Sequence, residues 1–182
     1  MSKAVQNISL IAPYGNLAVG QFNFDLTTAR IIATNAIQNL TEAGLPDGNT
    51  AGPALGRVNG ATDKALRLSW AATEVNEIQF APWELPPDLD KTAAITIRLR
   101  CAKSANANTA TMAVGAFFGV GDANAGGNTG TIAQAEATYD VVLAASDVPD
   151  AGGVLTVTLT PSAHAGDALY LYSAVALYTR KA

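Results

Sequence analysis

The sequence predicts an all-β protein, an antiparallel β-sandwich of jelly-roll type with an irregular N-terminal region or arm. Three observations predict it. In the segment 168–180, ALYLYSAVALYTR, Leu169, Leu171, Val175 and Leu177 fall on one face of an extended strand and Tyr170, Tyr172 and Tyr178 on the other, because strand side chains alternate with a period of two. The same beat recurs in ALRLSWAA, AITIRLRCA and VLTVTLTP. Turns separate these runs, and the dozen-residue helices that parallel βαβ units require are missing. The immunoglobulin type of sandwich is the runner-up, unsupported because no cysteine pair brackets a core tryptophan.

Taken in order, residues 5–11 and 19–27 both alternate, with Phe22, Phe24 and Leu26 on one face and Asn23 and Asp25 opposite. They read as two strands joined by a turn at Pro13, Tyr14, Gly15 and Asn16. Residues 28–43 leave helix and strand equally open. Ile32, Ala36, Leu40 and Ala43 keep helical spacing, while Ile31, Ile32, Thr34 and Thr41 are β-branched. From Gly44 to Thr62, breakers such as Pro46, Gly48, Pro53 and Gly60 predict a long loop or extended arm, a kind of segment that often serves a partner. Leu66, Leu68 and Trp70 then face one way and Arg67 and Ser69 the other, and Ile78 and Phe80 face inward. ELPPDLDK is a proline-stiffened corner. Residues 94–102 put Thr96, Arg98 and Arg100 on a wet face, 111–120 is apolar on both faces, and 119–130 is a glycine-asparagine loop. The division expected is 1–60 for N-terminal strands and arm and 61–182 for the sandwich, or one continuous domain over 1–182.

Composition narrows the function. Only 14% of the 182 residues are charged against 49% hydrophobic, so the surface is neutral and suits permanent contact with other protein. The net charge is −4 and the 11 Lys and Arg are scattered, which argues against nucleic-acid binding, since that needs a clustered positive footprint. No apolar stretch reaches the length of a membrane span, and the N-terminus lacks the apolar run of a signal peptide. The single Cys101 is in phase with Ile95, Ile97 and Leu99 and reads as a core residue.

Candidate chemistry is thin. His164 stands alone, short of the further ligands a zinc site needs. Ser162, His164 and Asp167 spell a triad on paper but lie along one turn. Gly119 and Gly121 begin a dinucleotide fingerprint that Asn124 breaks. Asp122, Asn124 and Asn128 faintly suggest calcium, but Ala133 stands where an EF-hand needs an acid. Asp88 and Asp90, with Glu84 nearby, read as turn caps at the proline corner, and Trp70 and Trp83 as core with one polar handle each. The expectation is a protein that is not an enzyme and carries no cofactor or metal.

Residues 66–90, a strand ending in tryptophan followed by IQFAPWELPPDLD, and the later LTVTLTPSAHAGDALYLY together resemble the jelly-roll proteins that tailed bacteriophages place on their virions. The likeness covers about residues 60–182 and is greatest to head decoration (cement) proteins; some tail-fibre domains share the style. It implies a virion component, assembled in the host cytoplasm, that binds the outer capsid surface as a homo-oligomer, a trimer favoured, and clamps major capsid protein subunits. The expected contacts are Tyr14, Leu45, Pro46, Pro53, Leu55 and Arg57. The alternative is a receptor- or glycan-binding domain of a tail fibre or spike, with Trp83, Tyr14 and the loop 119–130 as its recognition face.

Overall fold

Fourteen strands and two short 3-10 turns make up the described part of the chain. The computed structural model describes residues 19–33, 36–39, 41–42, 53–57, 65–150 and 152–181. The strands are β1 (Val19–Phe24), β2 (Arg30–Ala33), β3 (Ala36–Asn39), β4 (Thr41–Glu42), β5 (Ala54–Arg57), β6 (Leu66–Trp70) and β7 (Glu77–Gln79). They continue with β8 (Trp83–Glu84), β9 (Ile95–Lys103), β10 (Met112–Phe117), β11 (Gly127–Asn128), β12 (Ala137–Leu143), β13 (Val154–Pro161) and β14 (Leu169–Thr179).

These strands form two sheets, antiparallel throughout except where β4 runs parallel to β5. One runs β12-β9-β14-β6-β5-β4, with β1 beside the C-terminal half of β14. The other runs β11-β10-β13-β7-β2-β3, with β8 on the start of β13. Equivalent places in the two sheets are held by strands adjacent in the chain: β12 with β11, β9 with β10, β14 with β13, and β6 with β7. Four such crossing pairs laid side by side are the jelly-roll winding.

Period-two alternation supplies the layer between the sheets. Ile95, Ile97, Leu99 and Cys101 point in from β9, Met112, Val114 and Ala116 from β10, and Leu155, Val157 and Leu159 from β13, all within one contiguous buried cluster. An aromatic group closes one end. Phe22 stacks on Trp83 with ring centroids 5.0 Å apart, Trp83 meets Tyr178 at 5.4 Å, and Phe24 meets Phe80 at 5.2 Å. Gly20 lies opposite Tyr178 in the ladder, and a Cβ there would overlap the Tyr178 ring, so only glycine lets the ring lie over the strand.

Three expectations change here. β14 does not keep one phase. Its register against β9 shifts between Leu171 and Ser173, a bulge that flips every later side chain. Leu169 and Leu171 face the core before it, and Ala174, Ala176 and Tyr178 after it. Val175 and Leu177 therefore leave the core face and stand half-buried on the outside. Of the open choice at 28–43, the described residues form strand after the 3-10 turn at Leu26–Thr28, which is capped by the Asp25 carboxylate accepting from the Thr27 N–H and leads into the antiparallel β2–β3 pair. The loop expected over 44–62 contains β5, paired along its length with β6. The strand expected at 5–11 and its turn lie outside the described residues.

Trp83→Ala should cost about 3–5 kcal/mol, the usual penalty for a large aromatic removed from a packed core, measured as the change in denaturant unfolding free energy. A cost under about 1 kcal/mol would mean that the aromatic group does not close the sandwich.

Candidate functional site

Inward alternation fixes outward alternation, and this builds a groove on the outer face of β10, β13 and β7. On β10 the outward residues are Ala113, Gly115 and Phe117; on β13 they are Thr156, Thr158 and Thr160. Register pairs Ala113 with Thr160, Gly115 with Thr158 and Phe117 with Thr156. On β7, Ile78 pairs with Leu159 and Gln79 with Thr158, which sets Glu77 beside Thr160. Asn128 lies across from Ala113 on β11. Small residues on β10 thus face a row of threonine hydroxyls, with one aromatic ring along the strand and one carboxylate across it.

The groove has a volume of about 450 Å³, and Glu77, Gly115, Phe117, Asn124, Asn128, Thr158 and Thr160 are among its walls. That size lies within the range of small-ligand sites. Gly115 is required by close approach: a Cβ there would overlap the Thr158 hydroxyl and press on the Phe117 ring. Asn124 is held in place because its Oδ1 accepts from the backbone N–H groups of Ala116 and Gly126, each at 2.9 Å. The side chain is otherwise exposed, so its Nδ2 is open to solvent or a ligand. Chemically, the arrangement offers hydroxyls, amides and one carboxylate for hydrogen bonds, and a ring face for an apolar surface.

The opposite outer face is organised differently. Arg98 makes a bidentate pair with Asp140 at 2.8 and 2.7 Å, which holds the Asp140 carboxyl below its ordinary range. Arg100 bonds Glu136, and the Arg67 guanidinium lies 3.9 Å over the Tyr170 ring. These side chains are mostly committed to one another.

The residues singled out from the sequence take structural places. The paper triad disperses. Ser162 Oγ accepts from the Thr111 N–H at 2.9 Å, and the His164 ring bridges the Ser162 and Ala71 carbonyls. Asp167 accepts from the N–H groups of Ala107 and Asn108 and faces Lys103 Nζ at 3.8 Å. His164 and Asp167 are fully buried, each tying the turn before β14 to another segment. Cys101 is buried, and desolvation pushes its thiol up to about 12, so it is not a nucleophile at neutral pH. Asp90 accepts from the Thr92 N–H and hydroxyl, which lowers its pKa, and Asp88 pairs with Arg180 at 3.4 Å. Trp70 gives its indole N–H to the Asn76 carbonyl. Among the described residues no group of three or more His, Cys, Asp or Glu could hold a metal.

Of the expected recognition face, Trp83 is buried in the aromatic group and unavailable to a ligand, whereas the loop 119–130 does supply Asn124 and Asn128. Tyr14, Leu45 and Pro46 lie outside the described residues. Pro53 is buried, Leu55 pairs with Leu68, and Arg57 pairs with Leu66 at the end of β5. The threonine row was visible as the alternate residues of VLTVTLTP, and Asn124 lay in the loop 119–130 expected at the alternative recognition face; Glu77 carried no signal, because only strand order brings it beside them.

No family model and no curated protein matches the chain. Among solved structures it is similar to the CBM22-1–GH10 modules of Clostridium thermocellum xylanase 10B, at a TM-score of 0.48 and 10% identity over 91% of this chain and 28% of that one. It is also similar to a family 29 carbohydrate-binding module from Piromyces equi, at 0.43 and 10% over 90% and 91% of the two chains. A third is the enzymatically active domain of tailspike protein 4 from bacteriophage CBA120, at 0.40 and 12% over 90% and 19%. The chain thus spans under a third of the xylanase and tailspike structures. At TM-scores below 0.5 these likenesses carry no inference about ligand or activity.

One carboxyl is under electrostatic stress. Glu74 accepts from the Ala71 N–H through Oε2, but its Oε1 is buried without a partner. Burial raises its pKa above the ordinary 4.5, opposed by the Ala71 hydrogen bond and by His164. A folded-state pKa above the unfolded one means the native state binds the extra proton, so stability should fall as pH rises from about 4.5 through the folded value. Glu74→Gln should therefore raise the melting temperature at pH 7, and the gain should vanish below about pH 4.5 in a thermal melt series. An equal gain at both pH values would contradict this.

Proposed function

We propose that this chain is a non-catalytic glycan-binding module that acts by adhesion. The observation that carries the reading is the groove on β10, β13 and β7. It combines a partly exposed Phe117 ring with the Thr158 and Thr160 hydroxyls, the Asn124 and Asn128 amides and the Glu77 carboxylate. Sugars present two kinds of surface, an apolar C–H face and a ring of hydroxyls. A ring face with polar groups disposed around it complements both. A purely apolar peptide would leave those polar groups unpaired at a cost.

The receptor-binding role on a virion fibre or spike, the alternative implied by the sequence resemblance, is the setting that fits such a groove. Capsid decoration would place its contacts at Tyr14, Leu45 and Pro46, and on or beside β5 at Pro53, Leu55 and Arg57. No comparable convergence of polar side chains around those residues supports it among the described ones.

A glycan array followed by calorimetry on the hits tests the proposal. Phe117→Ala should weaken the best hit by about tenfold or more, since a buried aromatic face is worth roughly 1.5–3 kcal/mol. Thr160→Val, which keeps the shape and removes the hydroxyl, should weaken it by about threefold to tenfold. Tyr172→Ala, on the outer face of the other sheet, should leave binding unchanged. Binding that survives Phe117→Ala and fails in Tyr172→Ala would move the site to the other face.

A further inference from the structure

The charge on the groove sets a direction for its selectivity. Glu77 is the one charged side chain among its described lining residues. It stands on β7 beside Thr160, opposite the small residues of β10, where a ligand lying along the groove would pass it. No cation shares the lining. One cation shares this outer face just outside the lining: Arg30 on β2, opposite Gln79, whose guanidinium donates to the Ala29 carbonyl. Elsewhere Lys103 is buried against Asp167, Arg98 and Arg100 pair with acids on the outer face of the other sheet, and Arg180 pairs with Asp88.

Resting on the glycan reading, we infer that the groove selects neutral oligosaccharides and rejects those bearing carboxylates, with Glu77 as the residue that discriminates. A carboxylate accepts hydrogen bonds from sugar hydroxyls, and such charge-assisted bonds are about twice as strong as neutral ones. A glycan carboxylate beside it has no proton to give at neutral pH and meets a like charge in a partly desolvated trough. The amides and hydroxyls of the lining are neutral and cannot offset that repulsion, and Arg30 stands beyond Gln79, on the far side of β7 from the groove. One side chain therefore both strengthens the accepted class and excludes the other, the two components from which specificity is made.

The test uses the full chain and matched pairs that differ only at C6: galacto-, manno- and gluco-oligosaccharides against the corresponding hexuronate oligomers of the same linkage. At low ionic strength, any neutral oligomer that binds should bind about tenfold or more tightly than its uronate partner. The ratio should shrink as salt is raised, because screening shortens the reach of the repulsion. Glu77→Gln, checked for an unchanged circular dichroism spectrum, should weaken the neutral ligand severalfold and bring the ratio close to one.

Uronates that bind as well as their neutral partners would overturn the selectivity and leave the glycan reading standing. Discrimination that persists undiminished in Glu77→Gln would overturn the assignment to that residue. Failure of every oligosaccharide, neutral or acidic, would overturn the glycan reading and this inference with it.

Discussion

Burial of one contiguous apolar layer between two sheets is the constraint from which the remaining geometry follows. Each strand contributes alternate residues to that layer, so each must present the others to the outside. Leu155, Val157 and Leu159 enter the core and Thr156, Thr158 and Thr160 are thereby aligned on the outer face. Met112, Val114 and Ala116 do the same for Ala113, Gly115 and Phe117. The groove is thus the reverse side of the core. A one-residue slip in β13 against β10 would bury the hydroxyls and expose the leucines, so register protects the site and the fold together.

Polar residues at the sandwich ends serve the same constraint. The Lys103–Asp167 pair and His164 are buried, yet each finds backbone partners in turns that cross from sheet to sheet. Removing one member of the ion pair would strand a buried charge, a far larger loss than the pair's own net contribution. Ser162, His164 and Asp167, which spelled a triad along the chain, therefore hold the crossings in place.

Much of the fold was legible because alternation is a local signal. The core faces of β6, β9 and β13, and the wet face at Thr96, Arg98 and Arg100, follow directly from residue order. The bulge in β14 was not legible. Val175 and Leu177 look as apolar as Leu169 and Leu171, and Ala174 and Ala176 look too small to be a core face. They are core where β1 pairs with β14, with Phe24 and Phe22 directly opposite them in the ladder. The strands at 28–43 were hidden by a spacing that suits helix and strand equally. The groove was half legible: the threonine row was written in the sequence, but Glu77, Asn124 and Asn128 reach it only through the order β11-β10-β13-β7. That order is a property of the crossing pairs and leaves no trace in any single segment.

The most direct test of a glycan site on this face is amide chemical-shift mapping of the isotopically labelled protein titrated with its best-binding oligosaccharide. The largest shifts should cluster at Gly115, Phe117, Asn124, Thr158 and Thr160, with the Tyr170–Tyr172 face quiet. Shifts concentrated on that opposite face, or in residues 1–60, would contradict it.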